Sequence, residues 1–207
     1  MSLSCLALLL VANNVHSQGT DNYPQGTIER KNSALDAIIT KNAKVEVLAD
    51  SFEWVEGPVW VESKKMLLVS DIPKNQIYKW TAERGKELYL EPSGYTRGEP
   101  RGGEKGSNGL SLNNKNELVL CQHGNRGVAI MKASLDNPKP VFTILADGYQ
   151  GKKFNSPNDL AIKNNGDIYF TDPPYGLVKG MDDPAKEIPY QGVYRVSKDG
   201  TVVLLTD

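Results

Sequence analysis

The sequence predicts an all-β protein built as a β-propeller, and two observations carry that prediction. After residue 44 the chain falls into short alternating or apolar runs rich in Val, Ile, Leu, Tyr and Trp. Turn pairs such as Asn113-Asn114, Asn165-Gly166 and Asp199-Gly200 lie between them. Period-two runs bounded by such residues are strands. The runs then recur at a near-constant interval of about fifty residues, the length of a four-stranded propeller blade. A β-sandwich, the alternative all-β arrangement, needs no such long period.

In chain order, the first element is an apolar run over 3–12, followed by Asn13, Asn14 and Val15-His16-Ser17. Small residues at the third and first positions before a cut after Ser17 match a secretory signal peptide, although no Lys or Arg precedes the run. The run is too short to span a bilayer as a helix. The expectation is a signal peptide over 1–17 and a periplasmic or secreted protein with no membrane attachment after cleavage. A buried N-terminal helix is the alternative. Residues 18–44 are polar, with one short helical candidate at 34–39, and read as a lead-in. The propeller part is 45–207, with strands expected at 45–49, 66–70, 76–80, 117–122, 167–171 and 193–196 and a last one within 201–207. No helical pattern of ordinary length follows residue 44.

Composition narrows the function classes. Twenty-four basic residues against 25 acidic ones leave a net charge of −1, which gives no reason to expect a nucleic-acid partner. Two cysteines and two histidines provide neither a disulfide framework nor a zinc cluster. Cys5 falls in the signal segment, so the mature chain keeps Cys121 alone.

The repeat has a further consequence. Glu56, Asn108 and Asn158 each lie ten residues before a strand, and they are spaced 52 and 50 residues apart. Each stands just before the first strand of its unit, and in a propeller that strand lines the central channel. The repeat therefore predicts that the three gather at one channel mouth as a ring of oxygen donors. A carboxylate with amide carbonyls suits a hard cation, calcium ahead of magnesium, and suits zinc poorly; manganese and zinc are the remaining alternatives. The local alternative is that Asn-Gly and Asn-Asp are turn pairs bonding their own backbone, with Glu56 an exposed turn residue.

These residues sit in motifs that resemble a known family. Phe52-Glu53-Trp54-Val55-Glu56-Gly57-Pro58-Val59-Trp60, Ser107-Asn108-Gly109-Leu110 and Gln122-His123-Gly124-Asn125-Arg126 are similar to the senescence marker protein/gluconolactonase/luciferin-regenerating-enzyme-like family. Asn155-Ser156-Pro157-Asn158-Asp159-Leu160 and Phe170-Thr171-Asp172-Pro173-Pro174-Tyr175-Gly176 point to its bacterial gluconolactonase-like branch. The resemblance covers roughly 35–207. It implies a six-bladed propeller, of which this chain supplies about three to four blades, with an axial divalent metal, usually calcium, and hydrolysis of sugar lactones. Ester or organophosphate hydrolysis is a related possibility, because paraoxonases and a phosphotriesterase share the architecture.

By resemblance, Glu56 is a direct metal ligand, and Asn158 either ligates the metal or holds substrate beside it. Asn108, His123, Asp159, Asp172 and Tyr175 belong to the substrate-binding region or channel mouth. Gly127 stands where the branch commonly has a second arginine, which removes any substrate contact that arginine would make. The implied chemistry is attack by water on a metal-polarised lactone carbonyl. No residue here is a secure general base, and the family's aspartate candidate belongs to a later blade, beyond Asp207.

Rival motifs are weak. Cys121 and His123 share one side of a strand, but neighbours along a strand do not easily form a thiol–imidazole contact. Cys121 reads as a small core residue. The glycine-rich stretch 98–109 lacks the Gly-Lys-Ser order of a P-loop and reads as a flexible loop. No Gly-x-Ser-x-Gly elbow is present. The competing function class is a non-catalytic propeller that binds or scaffolds a partner around a structural metal; oligomeric state is not legible. The 163 residues from 45 onward hold little more than three units of fifty, whereas six need roughly three hundred residues. The expectation is the N-terminal portion of a lactonase, inactive alone.

Overall fold

The computed structural model describes residues 26–207. The expected signal peptide at 1–17 and the start of the lead-in at 18–25 lie outside the described residues. The described residues divide into two units, the first ending at Leu48 and the second Ala49–Asp207. The described part of the first holds a 3₁₀ turn at Ser33–Ala37, within the region of the helical candidate at 34–39. The Asn32 side chain caps it, accepting from the Ala34 amide at 2.8 Å. No described helix is long and apolar enough to cross a membrane.

The second unit is all-β. Blade 1 is formed by β1 (Val55–Val61), β2 (Met66–Asp71), β3 (Gln76–Thr81) and β4 (Gly85–Leu90). Blade 2 comprises β5 (Ser107–Leu112), β6 (Leu118–Gln122), β7 (Gly127–Met131) and β8 (Phe142–Ala146). A two-stranded ribbon follows, β9 (Gly148–Tyr149) with β10 (Lys152–Lys153). Blade 3 consists of β11 (Leu160–Ile162), β12 (Ile168–Thr171), β13 (Val193–Val196) and β14 (Val202–Thr206). Each blade is an antiparallel meander in sequence order, as expected for a propeller. The expected ten-residue offset is met: β2, β6 and β12 begin at Met66, Leu118 and Ile168. The run at 45–49 is not a strand. Its alternation is genuine, but a strand exists only through a ladder, and other segments fill all four places of blade 1.

The core lies between the blades, and alternation along β6 shows how it is divided. Leu118 and Leu120 face blade 1, joining Val61, Leu68, Ile77 and Leu90. Val119 and Cys121 face the other way, joining Phe154, Phe170 and Tyr194 of the blade 3 side. All five β6 residues are buried, because a strand sandwiched between two sheets has no solvent face. Phe154, Phe170 and Tyr194 pack with ring centroids 5.0–5.5 Å apart, the geometry at which aromatic pairs add to area burial.

Candidate functional site at the start of the innermost strands

Each blade delivers one polar residue to the same end of the molecule. Glu56 and Asn108 are the second residues of β1 and β5, and Asn158 lies just before β11. In both β1 and β5 the pairing register slips at this point, between Glu56 and Val59 and between Ser107 and Leu110. Such bulges re-aim a side chain at a sheet end. The glycines that follow Glu56 and Asn108 have a steric cause. Gly57 has φ +60°, and a Cβ there would lie 2.0 Å from the Asn108 carbonyl oxygen. A Cβ at Gly109 would lie 2.8 Å from the Asn158 carbonyl oxygen. Only glycine lets the innermost strands of adjacent blades come this close. The Gly109 amide donates to the Asn158 carbonyl at 2.7 Å, and Ser70 Oγ donates to the Asn108 carbonyl at 2.8 Å.

The Asn108 and Asn158 side chains meet as well. Asn108 Nδ2 donates to Asn158 Oδ1 at 2.7 Å, and His123 Nε2 lies 3.2 Å from the same oxygen. Asn108 and His123 are buried, while Asn158 is half-buried. Glu56 is half-buried, and its Oε1 accepts the Trp54 indole N–H at 2.9 Å. Trp54 itself is 57% exposed.

Asp172 occupies a different kind of position. It is buried at the end of β12, where its two carboxylate oxygens accept the backbone amides of Asn155 and Ser156, each at 2.8 Å. The carboxylate therefore holds the loop that delivers Asn158. Asp71, at the equivalent end of β2, accepts the amides of Glu53 at 3.2 Å and Trp54 at 3.3 Å and so holds the approach to Glu56. Burial pushes the Asp172 carboxyl up to about 7, against the lowering effect of those two amides, Arg126 and Lys186. Asp159 is exposed, and Tyr175, 62% exposed, lies on the loop after β12 at the same end.

Several contributors were not singled out from sequence. Glu104, in the stretch read as a flexible loop, brings Oε2 to 3.3 Å from His123 Nδ1. Arg101 of the same stretch donates to the Gly176 carbonyl. Nothing in a glycine-rich loop without periodicity signals such contacts. Asp71 could have been found from the repeat, since Ser70-Asp71 and Thr171-Asp172 end equivalent strands. Arg126 donates to the carbonyls of Phe154 at 2.6 Å and Ala185 at 2.9 Å, tying blade 2 to the loops of blade 3. Cys121 is fully buried and its thiol is pushed well up by burial, so it is an inert core group.

The ring donors, the Glu56 carboxylate and the Asn158 amide oxygen, are of the type that binds a hard cation. Among the described residues no group of three or more His, Cys, Asp or Glu side chains converges, so Glu56 and Asn158 would supply part of a shell. A groove of about 300 Å³ lies at the other end of the strands, between blades 2 and 3. Val119, Ile130, Leu145 and Ile162 form its apolar wall, and it has no part in the polar ring.

Comparison with known proteins agrees with this architecture. A family profile described as the SMP-30/Gluconolactonase/LRE-like region matches residues 54–207. A gluconolactonase of Zymomonas mobilis is 41% identical over 182 residues, covering 87% of this chain and 50% of the relative. Among solved structures, the Xanthomonas campestris gluconolactonase XC5397 aligns with a TM-score of 0.62 at 29% identity, over 77% of this chain and 49% of that one. A luciferin-regenerating enzyme shares the fold, with a TM-score of 0.52 at 14% identity over 75% of this chain and 46% of that one. The chain thus spans about half the length of the relatives it matches. With the profile running from β1 through β14 and the ring residues set out at its period, the chain belongs to the SMP-30/gluconolactonase/LRE-like family.

Proposed function

We propose that this chain forms the metal-holding and substrate-facing part of a gluconolactonase-type enzyme that hydrolyses sugar lactones with the help of a divalent cation, calcium first. The observation that carries the reading is the register-matched placement of Glu56, Asn108 and Asn158 at one end of the three innermost strands. The relatives named above support the substrate class.

Glu56 and Asn158 would hold the cation. The Trp54 indole restrains one Glu56 oxygen, and among the described residues nothing donates to the other. Asn158 Oδ1 takes donors from Asn108 and His123, so a cation at that oxygen would replace one of them. The chemistry such a cation supplies is Lewis-acid polarisation of the lactone carbonyl. Asn108, freed from Asn158, would be an N–H donor for a lactone oxygen, with Asp159 and Tyr175 as exposed groups for ring hydroxyls. Asp172 would act by holding the 155–158 loop rather than by touching substrate. The general base is not among these side chains, each of which is committed to a neighbour or lies at the rim.

The test is hydrolysis of glucono-1,5-lactone by the full-length protein, with and without a chelator. Calcium-dependent turnover supports the reading. Calcium binding without turnover would favour a propeller scaffold with a structural metal, and turnover indifferent to chelation would remove the cation from the chemistry. Export rests on the apolar run at 3–12; a mature protein that begins at Gln18 supports it, and a retained Met1 would end it.

A further inference from the structure

We propose that Trp54 is a positioning residue that orders the Glu56 carboxylate for the cation, holding one oxygen and leaving the other free. The proposal rests on the reading of Glu56 as a metal ligand and adds how that ligand is aimed. Trp54 immediately precedes β1, and Glu56 is the second residue of that strand. Residues two apart in extended chain share a face, and the Trp54 indole N–H donates to Glu56 Oε1 at 2.9 Å.

The main chain that carries the indole is fixed on both sides. The Trp54 amide donates to Oδ1 of the fully buried Asp71 at 3.3 Å, and the Trp54 carbonyl accepts the Ile72 amide at 3.1 Å. The repeat makes this position special to blade 1. Trp54, Gly106 and Ser156 each stand two positions before the ring residue of their blade. Gly106 has no side chain. Ser156 turns its hydroxyl away from the ring, donating to the Pro173 carbonyl at 2.5 Å and accepting the Gly176 amide at 2.8 Å. Among the described residues, the Trp54 side chain alone donates to Glu56.

The chemistry follows from donor and acceptor identity. An indole N–H only donates, and an ionised carboxylate only accepts, through two oxygens. The donor is neutral, so the carboxylate keeps the charge that a cation needs. A free glutamate side chain samples many rotamers, and binding must freeze them. The indole freezes them beforehand, which leaves less ordering for the cation to impose. Partners of this kind behind a ligand typically control about 10- to 100-fold in metal affinity, and a pair this exposed belongs at the low end. Trp60 supplies the comparison. Its indole donates to Glu62 Oε2 at 2.6 Å with the same two-residue spacing, on a glutamate outside the ring. The two pairs are alike locally and differ in the carboxylate they hold.

The experiment uses full-length protein, with calcium alone as the calorimetric probe. In calcium-free ¹⁵N-labelled protein, Glu56→Ala should move the Trp54 indole N–H signal and leave that of Trp60 in place. Trp54→Phe keeps an aromatic ring and removes the donor. Its calcium affinity should fall about 10-fold while its calcium-free Tm stays close to wild type. Trp60→Phe should bind calcium as the wild type does. Because the loss is one of affinity, hydrolysis of glucono-1,5-lactone by Trp54→Phe should drop at limiting calcium and recover at saturating calcium. A Trp54 signal unmoved in Glu56→Ala, equal calcium affinity in Trp54→Phe and wild type, or an equal loss in Trp60→Phe would overturn the proposal. Should Trp54→Phe not fold, calcium titration of the wild type decides: the Trp54 indole signal should follow binding, and an indifferent signal counts against the proposal. A wild type that binds no calcium would instead sink the reading of Glu56 as a ligand, and the indole signal in Glu56→Ala alone would then decide whether Trp54 holds it.

Discussion

Asp172 has a carboxyl in a place with almost no water, and burial pushes it up to about 7 from an ordinary value of 3.8. The folded chain therefore holds this proton more tightly than the unfolded chain. The stability it contributes is fully present below about pH 4 and is lost as pH rises through about 7, by up to about 4 kcal/mol at 1.36 kcal/mol per unit. Asp172→Asn removes the titration while turning one amide N–H toward the backbone donors of Asn155 and Ser156. The stability gap between wild type and Asp172→Asn, followed by urea unfolding from pH 4 to 8, should narrow as pH rises; a constant gap would mean the group does not titrate in this range. Gly57 offers a sharper test of the ring's geometry. A methyl group at φ +60° and 2.0 Å from a backbone oxygen meets both strain and an immovable neighbour. Gly57→Ala should lose at least about 3 kcal/mol in the same assay.

At the level of strands and blades, the repeat was legible because its cause is geometric: every inner hairpin has the same length, so each ring residue precedes its second strand by ten positions. The short outer strands were harder to read. In β8, Thr143 and Ile144 are both exposed, because an outermost strand keeps little of the alternation that marks a half-buried one. The run at 45–49 alternates well and is no strand, which shows that pattern without a pairing partner is not enough. Within the site, Glu56, Asn108 and Asn158 could be found through the period, whereas Glu104 could not, since its meaning arises only when a loop folds onto His123. Arg126 illustrates the same limit. Its motif carries the family resemblance but not what the side chain binds, and its guanidinium is spent on the carbonyls of Phe154 and Ala185. Arg126→Ala should therefore leave two acceptors poorly paired and cost about 2–4 kcal/mol, seen as a lowered unfolding midpoint. A variant as stable as wild type would show that water replaces the guanidinium without loss.

In the molecule as a whole, the blades are joined by apolar faces and by a ring of polar contacts at one end, and the two junctions respond to different variables. The apolar faces respond to temperature and denaturant. The polar ring joins the Asn108 side chain of blade 2 to the Asn158 side chain of the lead into blade 3, while Glu56 of blade 1 bonds its own neighbour Trp54. A cation shared by Glu56 and Asn158 would connect blades 1 and 3, which the polar side-chain contacts of the ring do not link. Binding to the native state alone raises stability by RT ln(1 + [L]/Kd), about 2.7 kcal/mol at a hundredfold excess over Kd. For a chain of this size that corresponds to a rise in Tm of about 5–10 °C. Glu56→Gln removes the one carboxylate of the ring and should abolish the rise while leaving the calcium-free Tm almost unchanged, because Gln can still accept the Trp54 indole. Asn158→Ala should abolish it too but also lower the calcium-free Tm, since it breaks the contacts to Asn108 and His123. Scanning calorimetry of the three proteins with and without calcium separates these outcomes, and an equal calcium-induced rise in all three would place the cation away from the ring.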